Sequence, residues 1–247
     1  MARSKVFVSL PEGEKPIIDV SEHNGRVKYG NAPRWELVAP CVSGAIIRVA
    51  DGLRYPDLEF DRNYSEAVAN KIPVGVYFYF RASARVEEQM RRFVDAVEGH
   101  NYGPGLGWWA DFETQDGIRG QPLVDRMSAF LEGLRAEVGD NVGVYTGQWW
   151  WQAKYLNPYP AWSGIYPLWA AHWTSNPAVK RPLLPLGWTR HELWQYGKCR
   201  MAEIPGIVTE VDLSRRNPVS PPGQNEKIER LWRRAAFLGW DLRTPEG

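Results

Sequence analysis

Gly107-Trp108-Trp109-Ala110-Asp111-Phe112-Glu113-Thr114 is the stretch on which the reading of this chain turns. As a β-strand it sends alternate side chains to opposite faces, so Asp111 and Glu113 point one way and Trp108, Ala110 and Phe112 the other. Two carboxylates two residues apart on one strand face repel each other, and strand interiors are depleted in Asp. A fold tolerates that where the strand end is a site. An acid beside an ionised neighbour, under apolar cover, has its pKa pushed up and can hold a proton near neutrality. A general acid needs that property. The competing reading of so short a motif is a solvated acidic face on a surface strand.

Outward from this strand, runs of strand length recur on both sides. Residues 16–21 carry Asp19 among apolar neighbours and end in the turn signal Glu22-His23-Asn24-Gly25. Residues 44–50 are nearly continuously apolar, as suits a strand covered on both faces, and residues 73–80 follow. Beyond the D-x-E strand come 142–146, 167–173, 192–197 and 207–213. Helices are predicted from Asn31-Ala32-Pro33, over 61–71, over 84–99, from Pro122 to Val138 and at Gln148-Trp149-Trp150-Trp151. In the third of these, Val86, Met90, Phe93, Val94 and Val97 recur at helical spacing. Strand–helix alternation implies parallel strands with right-handed crossovers, and eight strands invite closure. The expected fold is α/β, an irregular TIM-like barrel of eight strands and about five helices. Residues 1–15 read as a polar lead-in, 16–216 as the barrel, and 217–247 as a Pro-rich linker and short C-terminal helix. That helix pairs an apolar stripe (Ile228, Leu231, Trp232, Ala235) with basic residues. A short isolated helix is marginal in water, so residues 224–240 need a surface. The choices are the barrel itself or another protein, such as a second copy.

Composition narrows the function. The formal net charge of +1 leaves no basic stripe for nucleic acid. The two cysteines, Cys41 and Cys199, read as buried thiols, and the four histidines show no metal-ligand spacing. No cofactor or metal is expected. No apolar run is long enough for a signal peptide or a membrane span. Synthesis in the cytoplasm is expected, with any export by some other route. The 13 Trp, 11 Tyr and 8 Phe are many for a core alone. Stacking on bases would call for a basic groove, so sugar rings are the better match.

In a parallel barrel the carboxyl ends of all strands meet at one rim. Asp19 ends the first strand, Asp111 and Glu113 the fourth, and Asp212 the eighth, which neighbours the first around the closed barrel. Their mutual repulsion argues for a site. With no His or Cys cluster and no Gly-rich phosphate loop, metal chemistry and phosphoryl transfer are poor matches. Carboxylates with aromatics suggest glycoside hydrolysis. Tyr77, Tyr79, Tyr145 and Trp194 sit at or near strand ends and are expected to line the substrate cleft, with core packing as the competing reading for each.

The ordered pieces Ile18-Asp19-Val20-Ser21, Ile46-Ile47-Arg48-Val49-Ala50-Asp51-Gly52, Asp57-Leu58-Glu59-Phe60-Asp61, Pro73-Val74-Gly75-Val76-Tyr77, Asp111-Phe112-Glu113, Gly143-Val144-Tyr145-Thr146, Leu168-Trp169-Ala170-Ala171, Leu193-Trp194-Gln195-Tyr196 and Val211-Asp212-Leu213 together resemble the glycoside hydrolase family 25 muramidases, common among phage endolysins and bacterial autolysins. The resemblance spans residues 16–214. It implies a peptidoglycan hydrolase that cleaves the β-1,4 bond from N-acetylmuramic acid to N-acetylglucosamine, phage-encoded for host wall lysis or penetration. Such an enzyme is made in the host cytoplasm without a signal peptide and acts on the cell wall after holin release or as part of a virion, and residues 224–240 could then also meet a virion component or the anionic wall. It implies Glu113 as general acid, Asp111 as its assistant or holder of the substrate N-acetyl group, and Asp19 and Asp212 as shapers of the site's charge. It further implies retention of configuration, with the substrate's acetamido oxygen in a nucleophilic role. Tyr77-Phe78-Tyr79 departs from the Tyr-His-Phe of many members. The alternative is a carbohydrate-binding or structural virion barrel that has lost catalysis, against which the intact acid set speaks. A chitinase-type D-x-x-D-x-D-x-E ending on Glu113 would need acids where this chain has Leu106 and Trp109.

Overall fold

A computed structural model describes residues 6–10, 13–100, 103–153, 155–176 and 178–217. The expected C-terminal helix and its docking surface at 224–240 lie outside the described residues. Eight strands close into a barrel. β1 (Ile17–Val20) pairs in parallel with β2 (Gly44–Asp51), and parallel pairing continues through β4 (Val74–Tyr79), β5 (Trp108–Asp111), β6 (Val142–Thr146), β7 (Leu168–Ala171) and β8 (Leu193–Cys199). β9 (Val211–Arg216) then runs antiparallel to both β8 and β1 and closes the ring. A two-residue β3 (Tyr55–Pro56) folds back on the end of β2.

The reversed last strand corrects the expectation of an all-parallel barrel whose eighth strand spans 207–213. A parallel return needs a crossover of a dozen or more residues, usually helical. Residues 200–210 hold only turns and bends, so the chain comes back on itself. Asp212 still reaches the expected rim, because it lies at the start of an antiparallel strand rather than the end of a parallel one.

Among the described residues five α-helices accompany the strands: α1 (Trp35–Val38), α2 (Phe60–Ala69), α3 (Val86–Glu98), α4 (Gln121–Val138) and α5 (Gln148–Trp151). The first begins at Trp35, not near Asn31. The Asn31 side chain instead accepts from Arg26 N at 2.8 Å, closing the preceding turn. α4 has Pro in its first turn and stops at Gly139, whose φ of 82° is a conformation glycine adopts without strain.

Two apolar clusters result from the period-2 alternation. The larger lies between strands and helices. In it Trp108 packs on Phe93 of α3, with ring centroids 5.1 Å apart, and Phe112 on Phe130 of α4 at 6.4 Å. The smaller fills the barrel interior, from Ile17, Ile46, Leu106, Trp109, Tyr145 and Trp169 to Tyr77. Gly143 faces Trp109 across β5 and β6, and a Cβ there would sit 2.4 Å from the indole. The glycine is the room the indole occupies. As the alternation predicts, Asp111 joins the interior set and Trp108, Ala110 and Phe112 the outer one.

The lead-in is not merely polar. Val6 O accepts from Lys198 N and Val8 N donates to Lys198 O, both at 3.0 Å. β8 outruns β7 there, and residues 6–8 take up the free edge while Val8 and Leu10 pack on the core.

Candidate active site

The carboxyl rim opens into a cavity of about 730 Å³, within the range that holds small ligands. Asp19, Asp111, Glu113 and Asp212 all line it, with Tyr77, Tyr79 and Tyr145. Asp111 closes β5 and is 4% exposed, while Glu113 lies two residues beyond the strand, half-buried. Phe112 is pinned between them: its N donates to Tyr145 O at 2.9 Å, and its O accepts from Thr146 Oγ1 at 2.7 Å. The D-x-E backbone is thus held by β6 on one side. On the other, Phe80 N donates to Asp111 O.

Asp19 belongs to a hydrogen-bonded chain. Gln195 Nε2 donates to Asp19 Oδ2 at 3.0 Å. The Gln195 Oε1 accepts from Tyr145 Oη at 2.8 Å and Trp173 Nε1 at 2.6 Å. Two donors on Oε1 fix the amide orientation, so the Nε2 side must face Asp19. Burial pushes the Asp19 carboxyl well above the usual range, and Asp212 and Glu113 push the same way; Gln195 and Lys198 oppose them.

Tyr79 stands by the D-x-E pair. Burial raises its hydroxyl above the ordinary value, and the charges of Glu113 and Asp111 raise it further, so it is a donor at any working pH. Its ring carries the Arg81 guanidinium at 4.6 Å. Arg81 is forked on Asp51, with Nη2 to Oδ2 at 2.6 Å, and its backbone is bracketed by the fully buried Gln89 of α3. A charged fork and a buried amide therefore set the position of that ring.

Trp194 is a correction. It does not line the cavity. It is 2% exposed in the outer cluster, its Nε1 donating to His172 O at 2.7 Å and the Arg215 guanidinium 4.3 Å from its ring. Alternation explains this: Gln195 faces the interior, so Trp194 and Tyr196 must face out. Sequence reasoning also passed over Gln195, Trp173, Lys198, Trp149 and Arg48, all of which line the cavity. Period-2 counting from Gln195 would have found it. Trp173 lies past the end of β7 and Trp149 in the one-turn α5, where strand alternation gives no rule.

A half-exposed acid and a buried one at the mouth of an aromatic-walled cleft suit the hydrolysis of a glycosidic bond. The class that fold and site define is a glycoside hydrolase. Comparison gives the family: residues 18–206 match the model of glycosyl hydrolases family 25. The chain belongs to that family, whose members are lysozyme-like hydrolases acting on peptidoglycan. Among relatives, lysozyme M1 of Streptomyces globisporus is 24% identical over 218 residues, covering 81% of this chain and 67% of that protein. The solved lysozyme of Streptomyces coelicolor superposes with a TM-score of 0.67 at 22% identity, covering 84% of this chain and 94% of the other. A family 25 glycosyl hydrolase of Bacillus anthracis gives 0.66 at 19%, covering 92% and 99%. Among the described residues no group of His, Cys, Asp and Glu is arranged to hold a metal ion, and no helix is long and apolar enough to cross a membrane.

Proposed function

We propose that this chain is an N-acetylmuramidase, cleaving the β-1,4 bond between N-acetylmuramic acid and N-acetylglucosamine, with Glu113 as the general acid. The observation that carries the reading is the D-x-E strand end opening into one cleft with Asp19 and Asp212. Glu113, half-buried and electrostatically coupled to Tyr79, gives its proton to the leaving glycosidic oxygen as the C1–O bond breaks. Asp111, buried behind it, orients the 2-acetamido group. The acetamido oxygen attacks C1 from the opposite face to form a cyclic oxazolinium. Water, deprotonated by the Glu113 carboxylate, then opens that ring and configuration is retained. Tyr77, Tyr79 and Tyr145 border the path of the sugar rings, and Asp19 and Asp212 set the charge of the cleft. No cofactor enters this scheme.

The test is digestion of purified walls followed by reduction and identification of the new reducing end. N-acetylmuramic acid is expected. N-acetylglucosamine there would make the enzyme a glucosaminidase, and no release would favour a non-catalytic barrel. The finer proposal, a phage enzyme for host lysis or penetration, is supported only by the resemblance to endolysins. Flanking holin or virion genes are expected; a chromosomal wall-remodelling neighbourhood would contradict it.

A further inference from the structure

β8, β9 and β1 carry a row of charged side chains. Lys198 is the register partner of Asp212, and Asp212 of Asp19. All three line the cavity. Directly opposed residues on antiparallel strands hold their Cβ atoms about 4.5–5.5 Å apart. Two carboxyls that close titrate as a pair and resist full ionisation, so one proton is shared. The two ends of the pair differ. Lys198 Nζ lies 3.2 Å from Asp212 Oδ1 and 3.8 Å from Glu210 Oε2. At the other end the Asp19 carboxyl meets a neutral donor, Gln195 Nε2 at 3.0 Å. Tyr77 of β4 and Glu113 beyond β5 also face Asp19 without positive charge, and Lys198 acts on Asp19 too, but less than burial and Asp212 push the other way. Lys198 is itself fixed, its backbone bonded on both sides to residues 6–8 and its ammonium 5.6 Å from the Trp173 ring centroid.

We propose that Lys198 is a positioning residue for this site: its ammonium, seated on Asp212, makes the Asp19–Asp212 pair asymmetric, so that Asp212 is the anion and Asp19 the carboxyl that keeps the proton. The inference rests on the reading of this pair as part of the working cleft. A protonated Asp19 can donate a hydrogen bond to a sugar oxygen. An ionised one would add negative charge beside Glu113 and make its proton harder to release. The raised Asp19 carboxyl, driven by burial and then by Asp212, agrees with this assignment.

The test follows the side-chain carboxyl carbons of Asp by NMR titration, assigned through Asp19→Asn and Asp212→Asn, in the wild type, Lys198→Met, Lys198→Gln and Lys198→Arg. In the wild type Asp212 ionises first and Asp19 at higher pH. In the Met and Gln variants the Asp212 step moves up by about one pH unit or more, the scale for an opposite charge at this range. The acid limb of kcat/KM moves with it. Arg at this position restores both. Asp19 ionising first in the wild type would overturn the proposal, as would titrations unchanged in the Met and Gln variants. A wild type that titrates as expected but releases nothing from walls would sink the muramidase reading and leave the pair's asymmetry standing.

Discussion

The Gln195→Glu variant isolates one hydrogen bond. Gln195 is 2% exposed, and the replacement is nearly isosteric, so packing is preserved. Tyr145 Oη and Trp173 Nε1 can still donate to the retained oxygen. Only the 3.0 Å contact with Asp19 changes, a second carboxyl oxygen standing where the amide donated. One of the two carboxyls must then be protonated for the native state to persist. Burial and the facing carboxyl raise the introduced group by about two units, a penalty of about 2.7 kcal/mol once both would otherwise ionise. A group whose pKa is raised on folding is no burden below its unfolded value of about 4.3, and its penalty grows as pH rises toward the folded value. The variant should therefore melt close to the wild type at pH 4. At pH 7.5 it should melt roughly 5–10 °C lower, at about 2–4 °C per kcal/mol for a chain of this size. Thermal melts followed by circular dichroism at the two pH values read the difference. Equal decrements at both, or a larger one in acid, would refute the contact between Gln195 and Asp19 as described.

Three further outcomes follow from the site. Glu113→Gln should leave the melting temperature within about 2 °C and lower wall hydrolysis at least roughly a hundredfold across the pH range; near-native lysis would remove the acid from its role. Trp194→Ala should cost about 3–5 kcal/mol of stability, the scale for an emptied buried Trp site, while turnover per folded molecule stays unchanged, measured by chemical denaturation beside a lysis assay. Tyr79→Phe keeps the ring under Arg81 and deletes the hydroxyl beside Glu113 and Asp111. It should lower kcat/KM about tenfold, the loss of one charge-assisted hydrogen bond, with no change in melting; an unchanged kcat/KM would make that tyrosine packing only.

Where the sequence was legible, one physical period dominated. In β5 the interior and exterior faces carry different chemistry, so counting by two placed Asp111 and the Trp108–Phe112 face correctly. In β8 the same period runs through Leu193, Trp194, Gln195 and Tyr196, where aromatic character suggested a sugar platform at Trp194. A buried glutamine was the better marker, because a buried amide needs partners and the interior supplies Tyr145, Trp173 and Asp19. The Lys198 pairings were out of reach. They depend on the β8–β9 register, which shifts between Gln195 and Gly197, and no local pattern encodes a bulge of that kind.

The reversal of β9 shapes the cleft as well as closing the barrel. Had the last strand run parallel, residues 200–210 would have been spent on a crossover along the barrel's outside, returning the chain to the floor. Because it runs antiparallel, that connection stays at the rim. Met201, Thr209 and Glu210 from it line the cavity beside Lys198 and Asp212. Thr209 Oγ1 donates to Asn24 O at 3.3 Å and Asn24 Nδ2 to Glu210 O at 2.9 Å, tying the returning loop to the turn after β1. Ser21 caps that same turn, its Oγ accepting from His23 N. The segment that carries Asp19 and the segment that carries Asp212 are therefore bound to each other above the sheet as well as within it. Two carboxyls held opposite each other resist joint ionisation, and this bracing keeps the strands that carry them facing at the rim.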